Sequence, residues 1–146
     1  MKQRSVVLLG IFLCLFFGVL IYIVTRSESI YLNQWVAHIV GDNTWSSLQS
    51  LVQNSGIPQW VIYSLPDALW MLALVTLVLL IWDFKLHSRS IPWITIAVGT
   101  GLLFEIFQGV HLVPGTFDVT DLVFILLAAL FPLSFALLKL RTCKTN

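Results

Sequence analysis

Hydrophobic residues fall along the chain in four long runs, residues 5–24, 65–82, 91–110 and 119–138, separated by polar intervals. At about 1.5 Å of rise per residue, each run is long enough as a helix to cross roughly 30 Å of hydrocarbon. None alternates with the period of two that a strand requires. A segment in lipid must also satisfy its own backbone hydrogen bonds, so each run is expected to be a helix. The pattern predicts an all-α protein, a four-helix transmembrane bundle forming a single integral membrane domain over residues 1–146. The interval 28–59 is too polar to span. Within it Tyr31, Trp35 and Ile39 recur at helical spacing, as do Trp45, Leu48 and Val52, with Gly41-Asp42-Asn43 between the two sets. Two short amphipathic helices on the outer membrane surface are expected there, serving either as a simple cap on the bundle or as a lid or partner surface.

Local signals mark the ends of the runs. Ser90 precedes Ile91-Pro92, an N-cap followed by an early proline. Ser64-Leu65-Pro66-Asp67 has the form of a capping box, and Asp118-Val119-Thr120-Asp121 repeats it after a Pro114-Gly115 turn. Pro132 is expected to kink the fourth helix. Small residues recur every fourth position at Gly10, Cys14 and Gly18 on the first helix, and at Ala97 and Gly101 on the third. Such stripes let helix backbones approach closely in lipid. Glu105 continues the second stripe and should face the bundle, as should Asp121, Ile125, Ala128 and Pro132 on the fourth helix.

Composition agrees with lipid as the solvent: 58% of residues are hydrophobic and 10% charged, whereas a soluble domain carries about 25% charge. The net charge of +1 says little, but the placement of the basic residues says more. Lys2, Arg4, Lys85, Arg89, Lys139, Arg141 and Lys144 share one side of a four-span arrangement, and Arg26 lies on the other. By the positive-inside rule both termini are cytoplasmic and 28–59 is extracytoplasmic. No basic cluster is large enough for nucleic acid. The apolar start is too long for a signal-peptide core and lacks a small-residue cleavage site, so it reads as an uncleaved first helix. Cys14 and Cys143 should lie far apart and not pair.

Six of the seven acidic residues then fall outside or in the outer part of the membrane: Glu28, Asp42, Asp67, Glu105, Asp118 and Asp121. Glu105 is the most informative. It sits about 14 residues into its run, roughly 21 Å from the inner end. A carboxylate at the centre of a membrane helix costs about 2.5–3.5 kcal/mol on insertion scales and less near the interface, so such a residue is paired, protonated or functional. Gln108 lies one turn further on. Asp67, Glu105, Gln108, Asp118 and Asp121 can therefore converge at one depth, with Tyr63, Ser64 and His111 as accessory groups. Three uses are open. The acids can be helix caps and interhelical hydrogen-bonding groups; they can hold a divalent cation such as magnesium or calcium, or a polar lipid headgroup; or they can form a proton or ion path. Catalysis finds little support. There is no glycine-flanked serine elbow, no His-Glu-x-x-His helix and no glycine-rich phosphate loop, and no nucleophile can be named.

Glu105-Ile106-Phe107-Gln108, followed by Pro114-Gly115-Thr116-Phe117-Asp118-Val119-Thr120-Asp121-Leu122, resembles the VanZ-like family of small bacterial membrane proteins. That family shows a Glu-x-x-Gln on one helix, a short outer turn, and two acids opening the next helix. Tyr63-Ser64-Leu65-Pro66-Asp67 is similar to the start of another of its helices. The likeness covers about an eighth of the chain. Thr116 stands where the family usually has Arg, and Ile125 and Ala128 where it usually has Asn and Gly. The family is associated with glycopeptide-antibiotic tolerance and the bacterial envelope. The resemblance implies a multi-pass protein of the bacterial cytoplasmic (inner) membrane, with partners among membrane lipid, a second copy of the chain or another envelope protein. Its leading function is an accessory or binding role at the acidic site. The alternatives are a small proton- or ion-coupled secondary transporter and an enzyme acting on a lipid-linked substrate.

Overall fold

The computed structural model describes residues 2–25, 31–113 and 117–144. The expectations placed on Arg26, Glu28 and the Pro114-Gly115-Thr116 turn lie outside the described residues. The elements are α1 (Lys2–Thr25), α2 (Tyr31–Val40), α3 (Asp42–Asn54), α4 (Gln59–Ile62), α5 (Ser64–Ile81), α6 (Ile91–Gly109) and α7 (Val119–Lys144). Among the described residues four stretches are long and apolar enough to cross a membrane: Gln3–Thr25, Ser64–Ile81, Ile91–Gly109 and Val119–Leu138. The predicted runs and these helices agree to within two residues at each end, because uninterrupted apolar character sets both.

Helix α5 is the hub, packing on α1 along one side and on α6 and α7 along the other. The core lies at the α5–α6–α7 seam: Met71, Val75 and Leu79 meet Ile94 and Ala97, with Ile125, Ala129 and Ala136 completing it. Large side chains on α1, α6 and α7 such as Phe12, Phe16, Trp93, Phe104, Leu127 and Phe131 are exposed, as expected of helices whose outer faces meet lipid tails instead of water. On the α1 side the contact is very close. A Cβ on Gly18 would stand 2.5 Å from Trp70 Nε1, and Tyr22 packs on the Trp70 ring at 5.7 Å between centroids.

The α5–α6 connection closes one end. Phe84 N–H donates to the Leu79 carbonyl at 2.8 Å, with Asp83 and Phe84 both at positive φ, a left-handed helix stop. Phe84 adopts this costly conformation while its ring packs against the core. Asp83 also pairs with Arg4 at the start of α1, so the amino-terminal end and the α5–α6 turn share one end of the bundle. Both side chains of that pair are more than half exposed, which limits its effect on stability.

At the opposite end α3 packs beside the end of α1, where Gln49 Nε2 donates to the Ile23 carbonyl at 3.5 Å. Trp45 on the same helix is buried, whereas Trp35 and Ile39 on α2 are 72% and 76% exposed. Trp60 of α4 stacks on Phe124 of α7.

Three terminal signals behave differently from expectation. Ser64 is not a cap. Helix α4 runs almost directly into α5 through Tyr63, which takes the N-cap position in right-handed helical conformation and makes no side-chain cap bond. Ser90 does occupy the N-cap position of α6, but its hydroxyl accepts from the His87 N–H at 3.0 Å and closes the preceding turn. Asp118 caps α7 as expected, accepting from the Thr120 N–H at 2.8 Å, but Asp121 does not reach back to complete a box. Pro132 sits inside α7, which continues to Lys144; the missing N–H removes the helical donor for the Ala128 carbonyl.

Candidate functional site

Three helices each bring one carboxylate to the end of the bundle that holds α3 and α4. Asp67 lies in the first turn of α5, Glu105 four residues before the end of α6, and Asp121 in the first turn of α7. One oxygen from each lies within 4.8 Å of the others. The local sequence explains the convergence. Helix α4 leads into α5 through Tyr63, which makes no side-chain cap, and this places Asp67 in the first turn of α5. Because Asp118 supplies the cap of α7, Asp121 turns inward along the face that continues through Ile125. Ala97 and Gly101, at steps of four before Glu105, keep that face of α6 narrow. A Cβ on Gly101 would already stand 2.5 Å from Met71 Cε.

The residues are unequally accessible. Glu105 is 3% exposed and Asp121 7%, while Asp67 is half-buried. Glu105 also receives the backbone N–H of Asp118. Its Oε2, and Oδ1 of Asp121, are nevertheless buried without a hydrogen-bonding partner. Unpaired polar atoms in the interior are few in folded proteins and costly. Three ionised carboxylates at this spacing would also repel one another by about 3–4 kcal/mol per pair, taking an effective dielectric constant of about 20. The cluster is therefore completed by protons, by a cation, or by both.

Asp67, Glu105 and Gln108 line a cavity of about 300 Å³ that continues between α5 and α6, past Trp70, Met71, Leu74, Gly101 and Phe104. Among the described residues no Lys or Arg lines it. Calcium takes oxygen ligands at about 2.3–2.6 Å, so two carboxylate oxygens up to about 4.8 Å apart can flank one ion. An ammonium group, donating at about 2.7–2.9 Å, suits the same spacing.

The structure separates the sequence-derived site residues. Asp67, Glu105, Gln108 and Asp121 come together. Asp118 is exposed and serves the cluster through its backbone and as the α7 cap, not through its carboxylate. His111 is exposed in a left-handed turn after α6 and does not line the cavity; Tyr63 is 46% exposed and Ser64 is buried at the α4–α5 junction, likewise away from the cavity lining. The apolar wall was not anticipated, although Met71 and Leu74 stand four and seven residues after Asp67, and Phe104 and Gly101 adjoin Glu105 on its helix.

The capping bonds from the Thr120 backbone N–H and hydroxyl hold the Asp118 carboxyl below the usual carboxylate range. A folded-state value below the unfolded one means that this contribution is present above the unfolded pKa and is lost as pH falls through the folded one. Asp118→Ala should therefore melt lower than wild type at neutral pH, and the difference should narrow below about pH 4, where the neutral carboxyl keeps only its capping oxygen. Asp118→Asn, which retains a capping oxygen, should show no such pH dependence; thermal melts from pH 2 to 7 check this.

Comparison of the chain with family models, with curated proteins and with solved structures finds no match.

Proposed function

We propose that the chain is an envelope-associated, VanZ-like binding protein of the bacterial inner membrane, with Asp67, Glu105, Gln108 and Asp121 forming an outer-face site for a cationic ligand, a divalent ion or a lipid headgroup. The observation that carries this reading is the pair of buried, unpartnered carboxylate oxygens on Glu105 and Asp121, within a cluster of three acids from three helices. Helix caps need one acid each at a helix start; they do not require a third carboxylate from the far end of α6. Interhelical packing alone would be better served by donor–acceptor pairs than by three acceptors.

The basic residues support a cytoplasmic location for both termini. The Arg4–Asp83 pair puts the amino-terminal end with the α5–α6 turn, and the acids lie at the other end. The exposed Trp35 and Ile39 of α2 suit the outer interface, where aromatic and apolar groups sit among headgroups.

Calcium titration of the protein in detergent, without added lipid, tests the site. Wild type should bind one ion. Glu105→Gln and Asp121→Asn should each weaken binding by at least about tenfold, the loss of one charged ligand. Asp42→Asn, on an exposed acid of α3, is the charge-matched control and should bind as wild type does. Equal binding by all four proteins, or none by wild type, would overturn the assignment.

A further inference from the structure

Asp67 and Glu105 occupy only one end of the cavity, and Asp121 adjoins them without lining it. Away from Glu105 and Gln108 the walls are apolar but for Thr100, whose hydroxyl donates to the Ile96 carbonyl: Met71 and Leu74 on α5 face Ala97, Gly101 and Phe104 on α6. From Gln108 to Ala97 the groove follows α6 for about 16 Å, roughly half of the 30 Å hydrocarbon thickness. Leu74 and Phe104 are 43% and 53% exposed, so the groove is open sideways where a membrane helix meets lipid. A bare ion would use the acidic end and leave this wall unexplained. A hydrocarbon chain alone would leave Glu105 Oε2 unpartnered.

Building on the cation-site reading, we propose that the occupant is a membrane lipid with a primary ammonium headgroup, entering between α5 and α6 from the adjacent leaflet. Its ammonium meets Asp67 and Glu105, which line the cavity, within the cluster that Asp121 completes, and one of its chains lies in the groove below. A primary ammonium offers three N–H donors to a cluster in which Glu105 Oε2 and Asp121 Oδ1 have none. A quaternary trimethylammonium offers none and is bulkier, so the site discriminates between two headgroups of equal formal charge.

The test uses the full chain in nanodiscs containing trace phosphatidylethanolamine or phosphatidylcholine with the same spin-labelled acyl chain. Electron paramagnetic resonance reads the immobilised fraction. Wild type should immobilise the phosphatidylethanolamine label about tenfold more strongly than its choline counterpart, and calcium should compete. Glu105→Gln should remove the headgroup preference. Gly101→Leu, which fills the groove, should release the chain; Leu74→Trp, on the open rim, provides a second blockade if Gly101→Leu does not melt cooperatively. Free ethanolamine should compete far more weakly than the intact lipid, because it lacks the chain.

Equal immobilisation of both labels, or a preference that survives both groove variants, would overturn the lipid proposal. A label displaced instead by self-association of the chain would point to a second copy in the groove, and would also overturn it. Calcium binding in lipid-free detergent separates the two levels. If it is present without lipid preference, the cation site stands and the lipid assignment falls; if both are absent, both fall.

Discussion

Glu105→Gln should melt at a higher temperature than wild type in ligand-free detergent, and should lose stabilisation by calcium. The substitution keeps an acceptor for the Asp118 N–H while removing one charge from a cluster whose three oxygens lie within 4.8 Å. Protons that complete the ligand-free cluster remove most of the full ionic repulsion, and relief of the remainder, about 1–2 kcal/mol, corresponds to a rise of roughly 3–8 °C for a chain of this size. Wild type should recover that difference when calcium is added, and the variant should not. A gain in stability with a loss of binding is the usual mark of a site kept in strain for function. If Glu105→Gln instead melted lower, by an amount comparable to Glu105→Leu, the carboxylate would be packing the helices together and the binding account would fail. Thermal melts with and without calcium distinguish the outcomes.

Gly18→Leu should be the most damaging single change on α1. The close approach to Trp70 leaves no room for a Cβ, and the neighbouring atoms belong to a bulky ring already packed against Tyr22. Overpacking of this kind costs about 1–3 kcal/mol, and the strain would force either α1 away from α5 or Trp70 out of position. Because Trp70 also lines the acidic cavity, binding should fall although no acid is touched. Gly10→Leu is the internal comparison: nothing lies within 4 Å of a Cβ built there, so its effect should be small. A melting curve for each, with a calcium titration at a temperature where both are folded, makes the comparison. Equal effects at the two glycines would mean that the α1–α5 contact is not organised around Trp70.

These positions also show what could be read from the sequence and what could not. The four helices long and apolar enough to cross a membrane were visible because apolar length is a one-dimensional property. The inward face of Glu105 was visible because Ala97 and Gly101 precede it at helical steps. The fate of the other acids was not, since capping motifs read alike whether or not the cap forms. Asp118 keeps its cap and stays outside, while Ser64 loses the expected role because α4 feeds α5 almost without a break. His111, an accessory candidate by residue type, lies exposed in a left-handed turn after α6 and outside the cavity lining. Gly10, Cys14 and Gly18 form one stripe in the sequence, yet only Gly18 meets a bulky ring; Gly10 and Cys14 border a small groove against Leu72, Ala73 and Thr76. Periodicity identifies a face, whereas the partner's side chains decide which position on it is indispensable.

Native mass spectrometry of wild type, Glu105→Gln and Asp121→Asn, released from mild detergent after extraction from membranes, tests the acidic site most directly. Wild type should retain a specific lipid or a divalent ion at defined stoichiometry, and both variants should lose it. The same non-specific phospholipid on all three proteins would contradict a ligand site and leave Asp67, Glu105 and Asp121 as groups that serve only the packing of α5, α6 and α7.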